Sequence, residues 1–179
     1  PENPFDAPIH AFNTLLNFDP DGISTHRIRA RGIATQQQPG EAIFLRENDL
    51  GLLVQTPQND HIQPGEIVEV IGFPAMGRFS AFLEDAEFRV VGTNTPPIPV
   101  PSTFTEALQG SNDANLVSME AQLLEVLKTS AETILVLRAN EAVFRARLPR
   151  TELSLHNGSQ LRLTGICLAE ESSFASPGF

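Results

Sequence analysis

Two stretches of the chain, PGEIVEVIG (residues 64–72) and NGSQLRLTG (residues 157–165), share a pattern that is the strongest indication of the fold. Each begins with a turn dipeptide ending in glycine, continues through a run of mostly alternating or β-branched apolar residues, and reaches a second glycine seven positions later. Such a run is typical of a strand, and a glycine inside a strand marks a bulge or a barrel corner. The same strand therefore occurs twice, which predicts an internal duplication.

The residues before each of these strands repeat as well. AIFLR (residues 42–46) parallels ILVLR (residues 134–138), and both precede the glycine strand by nearly the same interval. In the first half the alternation begins near His26, with Ile28, Ala30 and Gly32 on one face and Arg27, Arg29 and Arg31 on the other. Further strands are predicted at residues 52–56, 67–73 and 79–91, the last one either continuous or broken.

The fold class predicted from this order is all-β, with two tandem OB-like five-stranded barrels, since closure protects the edges of short strands. A plain β-sandwich is the alternative. We expect a lead segment with a short helix from Ile9 to Asn17, a Pro-rich linker extended over residues 96–101, and a helix from Phe104 to Gln109. The predicted boundaries are 1–22 for the lead segment, 23–95 for the first barrel, 96–112 for the linker and 113–179 for the second barrel.

Two parts of the second half leave the prediction open. Residues 116–128 have a helix-forming composition, and their apolar residues fit either a helical stripe or a strand; the duplication favours the strand. Residues 169–179 contain no alternating apolar run, so the second barrel lacks its fifth strand within the sequence. We expect that strand to lie beyond Phe179 in a longer parent protein, or its place to be filled by a neighbouring chain or by residues 1–22.

Composition limits the function classes. The chain has 179 residues and a net charge of −10, from 22 acidic and 12 basic residues. It has twelve phenylalanines but neither tryptophan nor tyrosine. An acidic surface repels a phosphate backbone, and binders of single strands use stacking platforms in a basic groove, so we predicted no nucleic-acid partner. No apolar run reaches the ~18 residues of a membrane span.

No catalytic or metal-binding motif is present, so the fragment is predicted not to be an enzyme and to use no cofactor. The four histidines (His10, His26, His61 and His156) lack partners at ligand spacing. Glu84 and Asp85 are adjacent, and adjacent strand residues face opposite ways, which argues against a paired-carboxylate site. The single cysteine, Cys167, lies in an apolar run and is interpreted as core filler.

A candidate ligand site follows from the usual binding face of OB barrels, formed by strands two and three and the loop between strands four and five. It comprises Phe44, Arg46, Gln55, Arg78 and Phe79. Arginine beside phenylalanine can grip an anion or stack on a planar ligand. The alternative is that these arginines pair with the many carboxylates or cover barrel edges.

The strand-and-turn pattern resembles the extracytoplasmic region of certain bacterial membrane-bound sensor histidine kinases, in which such a unit repeats before a transmembrane helix and a kinase core. The resemblance covers about residues 23–170 and rests on residues 27–35, 39–41, 51–55, 63–65, 68–74, 83–89 and 161–168. It implies a periplasmic sensing module of a two-component system that is not itself catalytic. The phosphoacceptor histidine and the ATP-binding motifs of that family do not occur in this sequence.

The predicted partners are an unknown small ligand or protein, the remainder of the receptor chain, and a second copy in a homodimer. The membrane would be reached only through a transmembrane helix of the parent. Two other functions stay open: a single-stranded nucleic-acid binder of OB type, and a structural spacer or interaction domain.

Overall fold

The computed structural model describes residues 4–15 and 26–168, and these form two β-sheets joined by a proline-rich linker. The first sheet contains β1 (Ile9–His10), β2 (Ile28–Gln38), β3 (Ala42–Glu47), β4 (Leu50–Gln55), β5 (Glu66–Met76) and β6 (Ala81–Thr93). The second contains β7 (Val100–Pro101), β8 (Leu116–Lys128), β9 (Glu132–Ala139), β10 (Ala142–Pro149) and β11 (Gln160–Ile166). The single α-helix of the described residues, α1 (Phe104–Leu108), lies between β7 and β8.

The first sheet closes into a five-stranded barrel. Its order is β1-β2-β3-β4-β6-β5, and β2 pairs again with β5. All long ladders are antiparallel, while β4 meets β6 in a parallel bridge at Val54 and Leu83. This is the strand order of an OB-like barrel. The interior is filled by small and branched residues, among them Ala30, Leu45 and Val70, which are fully buried.

The second sheet has the order β10-β9-β8-β11, with β7 added in parallel to β8. These four main strands correspond to the first four strands of the barrel. Within residues 26–168 no strand joins β10 to β11, so the predicted second five-stranded barrel is present as an open sheet. Residues 169–179, where a fifth strand was missing from the sequence, lie outside the described residues.

The duplication is visible in the backbone. The β3–β4 turn and the β9–β10 turn both have asparagine in the left-handed conformation, at Asn48 and Asn140, each with φ 54°. Gly65 and Gly158 have φ of 97° and 91°, and their N–H groups donate to the carbonyls of Ala34 and Leu123. One residue after each of these carbonyls, β2 and β8 carry a bulge. The two units therefore share turns, bulges and register.

Several predicted elements are confirmed. Residues 116–128 form strand β8, as the duplication required, and the strand predicted at residues 79–91 is one continuous strand, β6, at Ala81–Thr93. The linker helix forms at Phe104–Leu108, where Thr103 and Glu106 make a capping box. Ile28 and Ala30 point into the barrel, while Arg29 and Arg31 lie on its outer side.

The lead segment differs from its prediction. In place of a helix from Ile9 to Asn17, β1 pairs in parallel with β2 and a short 3₁₀ turn follows at Phe12–Thr14. Phe12 and Leu15 are buried in the core of the first barrel, and this burial outweighs the local helical pattern. The described part of the lead segment packs on the first barrel, so it does not fill the gap in the second sheet.

Candidate binding site

The outer face of β3, predicted as part of a ligand site, is covered by the second unit. Phe44 is 1% exposed and packs with Ala42 and Ala114, against which Leu53 and Ile166 also lie. Because Phe44 is flanked by inward-facing Ile43 and Leu45, its side chain leaves the barrel on the outside, as strand alternation requires. Its contact partner in this structure is the chain itself.

Gly51 allows the two units to approach closely. A Cβ atom at this position would lie 2.4 Å from the carbonyl carbon of Ala114, so no larger residue fits without a shift. Asn115, the next residue, donates from Nδ2 to the carbonyl of Asp49 at 2.9 Å. Its carbonyl accepts a hydrogen bond from the N–H of Cys167 at 2.9 Å, and the N–H of Ala114 donates to the carbonyl of Cys167 at 2.8 Å. The junction is thus bonded from both units.

Arg46 links the first barrel to the linker and to β8. Its Nε donates to Oδ1 of Asn115 at 2.9 Å, and one terminal nitrogen donates to the carbonyl of Ile98 at 2.6 Å. The other terminal nitrogen reaches the carbonyl of Leu116 at 3.4 Å. The guanidinium group therefore already donates hydrogen bonds to three oxygen atoms of the chain.

Phe79 and Arg78 lie at the same junction, in the turn between β5 and β6. Phe79 packs so tightly on Gly110 that a Cβ there would lie 2.1 Å from its ring. Next to it, Oγ of Ser80 lies 2.6 Å from a carboxylate oxygen of Asp113, to which it donates. The Arg78 guanidinium lies 5.1 Å from the centre of the Phe79 ring, a cation–π distance.

Gln55 lies in an open groove of about 450 Å³ beside this junction. Phe44, Asp85 and Leu168 also line the groove. Of the five predicted site residues, Phe44, Arg46 and Phe79 therefore make contacts at the junction, and Gln55 lies at its margin. The hypothesis of a ligand at these residues stays a prediction. In this structure Phe44, Arg46 and Phe79 contact residues of the linker and the second unit.

The arginine face of β2 has a different role from ligand binding. Glu69 of β5 is 1% exposed, and Arg29, Arg31 and Arg89 all donate to its carboxylate. Phe5 of the lead segment covers Arg89, with 4.4 Å between the guanidinium carbon and the ring centre. Burial of the Glu69 carboxyl would raise its pKa, but hydrogen bonds from Arg31, Arg89 and Arg29 lower it to about 2.

On this face the arginines therefore pair with carboxylates, which was the alternative to ligand binding. Arg27 follows the same rule: it donates to Glu87 at 2.7 Å and to Asp85 at 3.0 Å, and these hydrogen bonds raise its pKa. A guanidinium with two carboxylate partners has little capacity left for an external anion.

The outer face of β9 and β10 in the second unit corresponds to the face of β3 and β4 that is covered at Phe44 and Arg46 in the first barrel. Arg138, Arg145 and Arg147 are exposed on the outer face of β9 and β10, with Val143, 57% exposed, beside them. By register, Arg145 and Arg147 occupy the positions that Leu53 and Gln55 hold in the first barrel. Residues 116–166 carry six basic and five acidic residues, although the whole chain has a net charge of −10. This surface is not acidic.

Sequence reasoning did not single out this strand. The signal was present in VFRARL (residues 143–148), where arginines alternate with apolar residues. A larger open groove, of about 1070 Å³, lies between linker residues 98–106 and the outer residues of β8, and Glu120, Arg138 and Arg162 belong to its lining. Both features lie in the second unit or at its edge.

Other chemistry is sparse in the described part of the chain. Residues 4–15 and 26–168 hold no group of three or more metal-ligating side chains. None of the helices in these ranges is long and apolar enough to span a bilayer. Cys167 is half-buried beside the junction, and its burial, together with the charge of Asp113, raises the pKa of its thiol.

Comparisons with known proteins place this chain in no family. No family model matches it, and no curated protein matches it. Among solved structures, the Ifi202 HINa domain in complex with double-stranded DNA has a TM-score of 0.45 at 8% identity, over 79% of this chain and 85% of that one. The p204 HINb domain has a TM-score of 0.41 at 14% identity, over 85% and 92%.

A murine DNA-binding protein bound to double-stranded DNA has a TM-score of 0.40 at 7% identity, over 77% of this chain and 82% of that one. The Ifi202 HINa domain and the murine protein are in complex with double-stranded DNA, and our exclusion of nucleic acid as a partner is withdrawn. At such scores and identities the likeness assigns no ligand to this chain.

Proposed function

We propose that this chain is a non-catalytic binding module, and that the second unit carries its binding surface while the first barrel serves as a rigid base. The observation that carries the proposal is the asymmetry between the units. The strand-two and strand-three face of the first barrel is covered at Phe44 and Arg46, whereas Arg138, the equivalent of Arg46, is exposed on the second unit together with Arg145 and Arg147.

We infer that the module senses its partner as part of a receptor. A closed barrel with a buried, hydrogen-bonded junction holds the second unit in a defined orientation, as a binding surface requires. The resemblance to extracytoplasmic regions of sensor histidine kinases supports this role and the periplasm as its location.

A second candidate function is nucleic-acid binding, and one observation favours it. Arg138, Arg145 and Arg147 lie on the strand-two and strand-three face that OB folds use for oligonucleotides. That face has no aromatic side chain in the described strands, since its apolar members are Ile134, Val136 and Val143. Contacts there would therefore be made to phosphates and not by base stacking.

Amide chemical-shift mapping tests both candidates on the full chain. We expect the apolar dye anilinonaphthalene sulfonate to shift amides of β10 and β11, because their inward apolar side chains are only partly buried. Shifts confined to β3 and β4 would contradict the proposal. A 20-bp duplex and a single strand of equal length, each titrated at two salt concentrations, form the second arm.

The double variant R145A/R147A separates the two functions. If the arginines bind phosphates, the variant loses oligonucleotide shifts and keeps the dye shifts, and the affinity of the native chain falls with salt. If neither oligonucleotide shifts β9 or β10 at low salt, the nucleic-acid candidate fails and the binding-module proposal is judged by the dye alone. The variant R78A, which removes one positive charge at the junction, serves as a control for loss of charge away from β10.

A further inference from the structure

The apolar interior of the second unit is fully buried at its centre and less buried around it. Far from the gap, Leu123, Leu135 and Leu137 are at most 3% exposed, as buried as their equivalents in the first barrel. Beside the gap, the equivalents of Leu52, Val54, Val68 and Val70 are Phe144, Ala146, Leu161 and Leu163. The first four are at most 1% exposed, whereas the second four are only partly buried.

This difference follows the strands. In the first barrel, β4 and β5 flank β6, which pairs with both of them. In the second unit, β10 pairs with β9 and β11 pairs with β8, and the described residues contain no strand between β10 and β11. Incomplete burial therefore marks both strands that border the position of a fifth strand, β10 and β11, and extends to Val126 on β8 and Ala139 on β9.

The backbone at this position also calls for a strand. Each border strand presents one edge whose N–H and C=O groups lack a ladder partner among the described residues. A small apolar ligand could cover Leu161 and Leu163, but it could not satisfy two rows of backbone groups. An extended peptide does both at once, which is the basis of recognition by β-strand addition.

The first barrel gives the chemistry of such a strand. In β6 the inward residues Ala81, Leu83, Ala86 and Phe88 are buried, while Glu84, Asp85 and Glu87 lie outside. Asp85 lines the same groove as Gln55, the position that Arg147 holds in the second unit. An acidic residue on the outer side of an added strand would thus approach Arg145 and Arg147.

Charge also selects the source of the strand. A second copy aligned edge to edge through β10 would bring Arg145 and Arg147 against the same arginines, which is unfavourable. Residues 169–179 contain no alternating apolar run. A segment of a partner protein is free of both objections.

We propose that the second unit binds an extended segment of a partner protein, apolar at alternate residues and acidic between them, which inserts between β10 and β11 and completes the barrel. The proposal rests on the proposed function, since it names the partner class of the surface assigned there. It adds that the partner segment is recognised through backbone hydrogen bonds and two arginines. The groove selects segments in which apolar and acidic residues alternate.

The probe is a fluorescein-labelled peptide with the sequence of residues 79–91, FSAFLEDAEFRVV, titrated into the full chain with anisotropy as the readout. A control peptide of identical composition exchanges Leu83 with Glu84 and Glu87 with Phe88, which puts acidic residues inward. We expect the control to bind at least tenfold more weakly. Equal binding of both peptides, or binding of neither, would overturn the proposal.

Charge reversal tests the arginines without disturbing the apolar groove. The chain variant R145E/R147E should weaken the probe at least tenfold, and a probe with E84K, D85K and E87K should recover most of the loss on that variant. A loss that no reversed probe recovers would contradict the role assigned to these arginines. Circular dichroism confirms that the variant keeps its fold.

Hydrogen exchange then locates the peptide. Amides at the free edges of β10 and β11 should gain protection when the probe binds, while those of β2 and β5 should not change. If the edges are already protected without the probe, the gap is filled in the free chain and the proposal is overturned. In that case size-exclusion chromatography distinguishes filling by a second copy from filling by residues 169–179.

Discussion

Glu69 is a buried carboxylate whose negative charge compensates the positive charges of three neighbouring arginines. Its side chain is 2% exposed and accepts hydrogen bonds from three arginines, of which Arg31 and Arg89 are 48% and 44% exposed. The arginines lie on β2 and β6, on either side of β5, so the carboxylate joins three neighbouring strands on the outside of the barrel. The charges are compensated only while Glu69 is ionised.

The substitution E69Q should therefore destabilise the chain by about 2 kcal/mol at neutral pH, because it leaves three guanidinium groups around a neutral amide. The pKa of Glu69 falls from its ordinary value of 4.5 to about 2 on folding. Its contribution is thus fully present above pH 4.5 and is lost as the pH falls toward 2. Urea unfolding of both proteins between pH 7 and pH 2.5 measures this.

The difference in unfolding free energy between native chain and variant should be constant at neutral pH and shrink below pH 4.5. A difference that does not vary with pH would indicate that packing, and not charge, accounts for the loss. E66Q is a suitable control, because Glu66 also lies on β5.

At the scale of elements, the duplicated turns before β5 and β11 differ in what surrounds them. Gly65 and Gly158 adopt the same left-handed conformation and make the same hydrogen bond. A Cβ at Gly65 would meet the carbonyl oxygen of Asn94 at 2.7 Å, whereas a Cβ at Gly158 would meet nothing within 4 Å. Asn94 directly follows β6, so the open space at Gly158 is another consequence of the missing fifth strand.

Alanine at these two positions separates backbone strain from crowding. G158A should cost about 1–2 kcal/mol, which is the strain of a left-handed alanine. G65A should cost at least about 1 kcal/mol more, because the added methyl group also collides with the end of β6. Thermal unfolding of the two variants measures the difference, and equal losses would mean that crowding at Gly65 is relieved by a small shift of Asn94.

The strands were predictable because their signals are local. Alternation, turn glycines and proline punctuation placed β2 to β6 within a few residues of their observed bounds, and the duplication correctly made residues 116–128 a strand. The lead segment was not predictable from its own pattern, since Phe12 and Leu15 are positioned by burial in a distant core. For the same reason Phe44 looked like an exposed ligand contact, although Ala114, seventy residues later, covers it.

At the scale of the whole molecule, Arg46 and Arg138 occupy equivalent strand positions with different surroundings. Arg46 donates to three oxygen atoms of the linker and the start of β8. Arg138 is exposed and donates to Gln122 on the neighbouring strand of its own sheet. One arginine therefore joins the units and the other lies on the open face.

R46A should lower the unfolding free energy by about 1–2 kcal/mol, because the side chain of Asn115 and the carbonyl of Ile98 lose a donor. R138A should change it by less than about 0.5 kcal/mol, as is usual for exposed positions. Calorimetry should also give a single transition for R138A and two separated transitions for R46A, since the junction then couples the units less tightly. Identical behaviour of the two variants would contradict the role assigned to Arg46.

The closure of the first barrel has a consequence for the order of events during synthesis. Every ladder of that barrel joins residues between Ile9 and Thr93, so we expect its pairing to form while the linker is still inside the ribosome. The strands of the second unit then emerge beside a finished surface that already presents Phe44 and the carbonyl of Asp49. We expect the first barrel to act as a template against which the second unit is positioned. The fold of the first barrel does not depend on closure of the second unit.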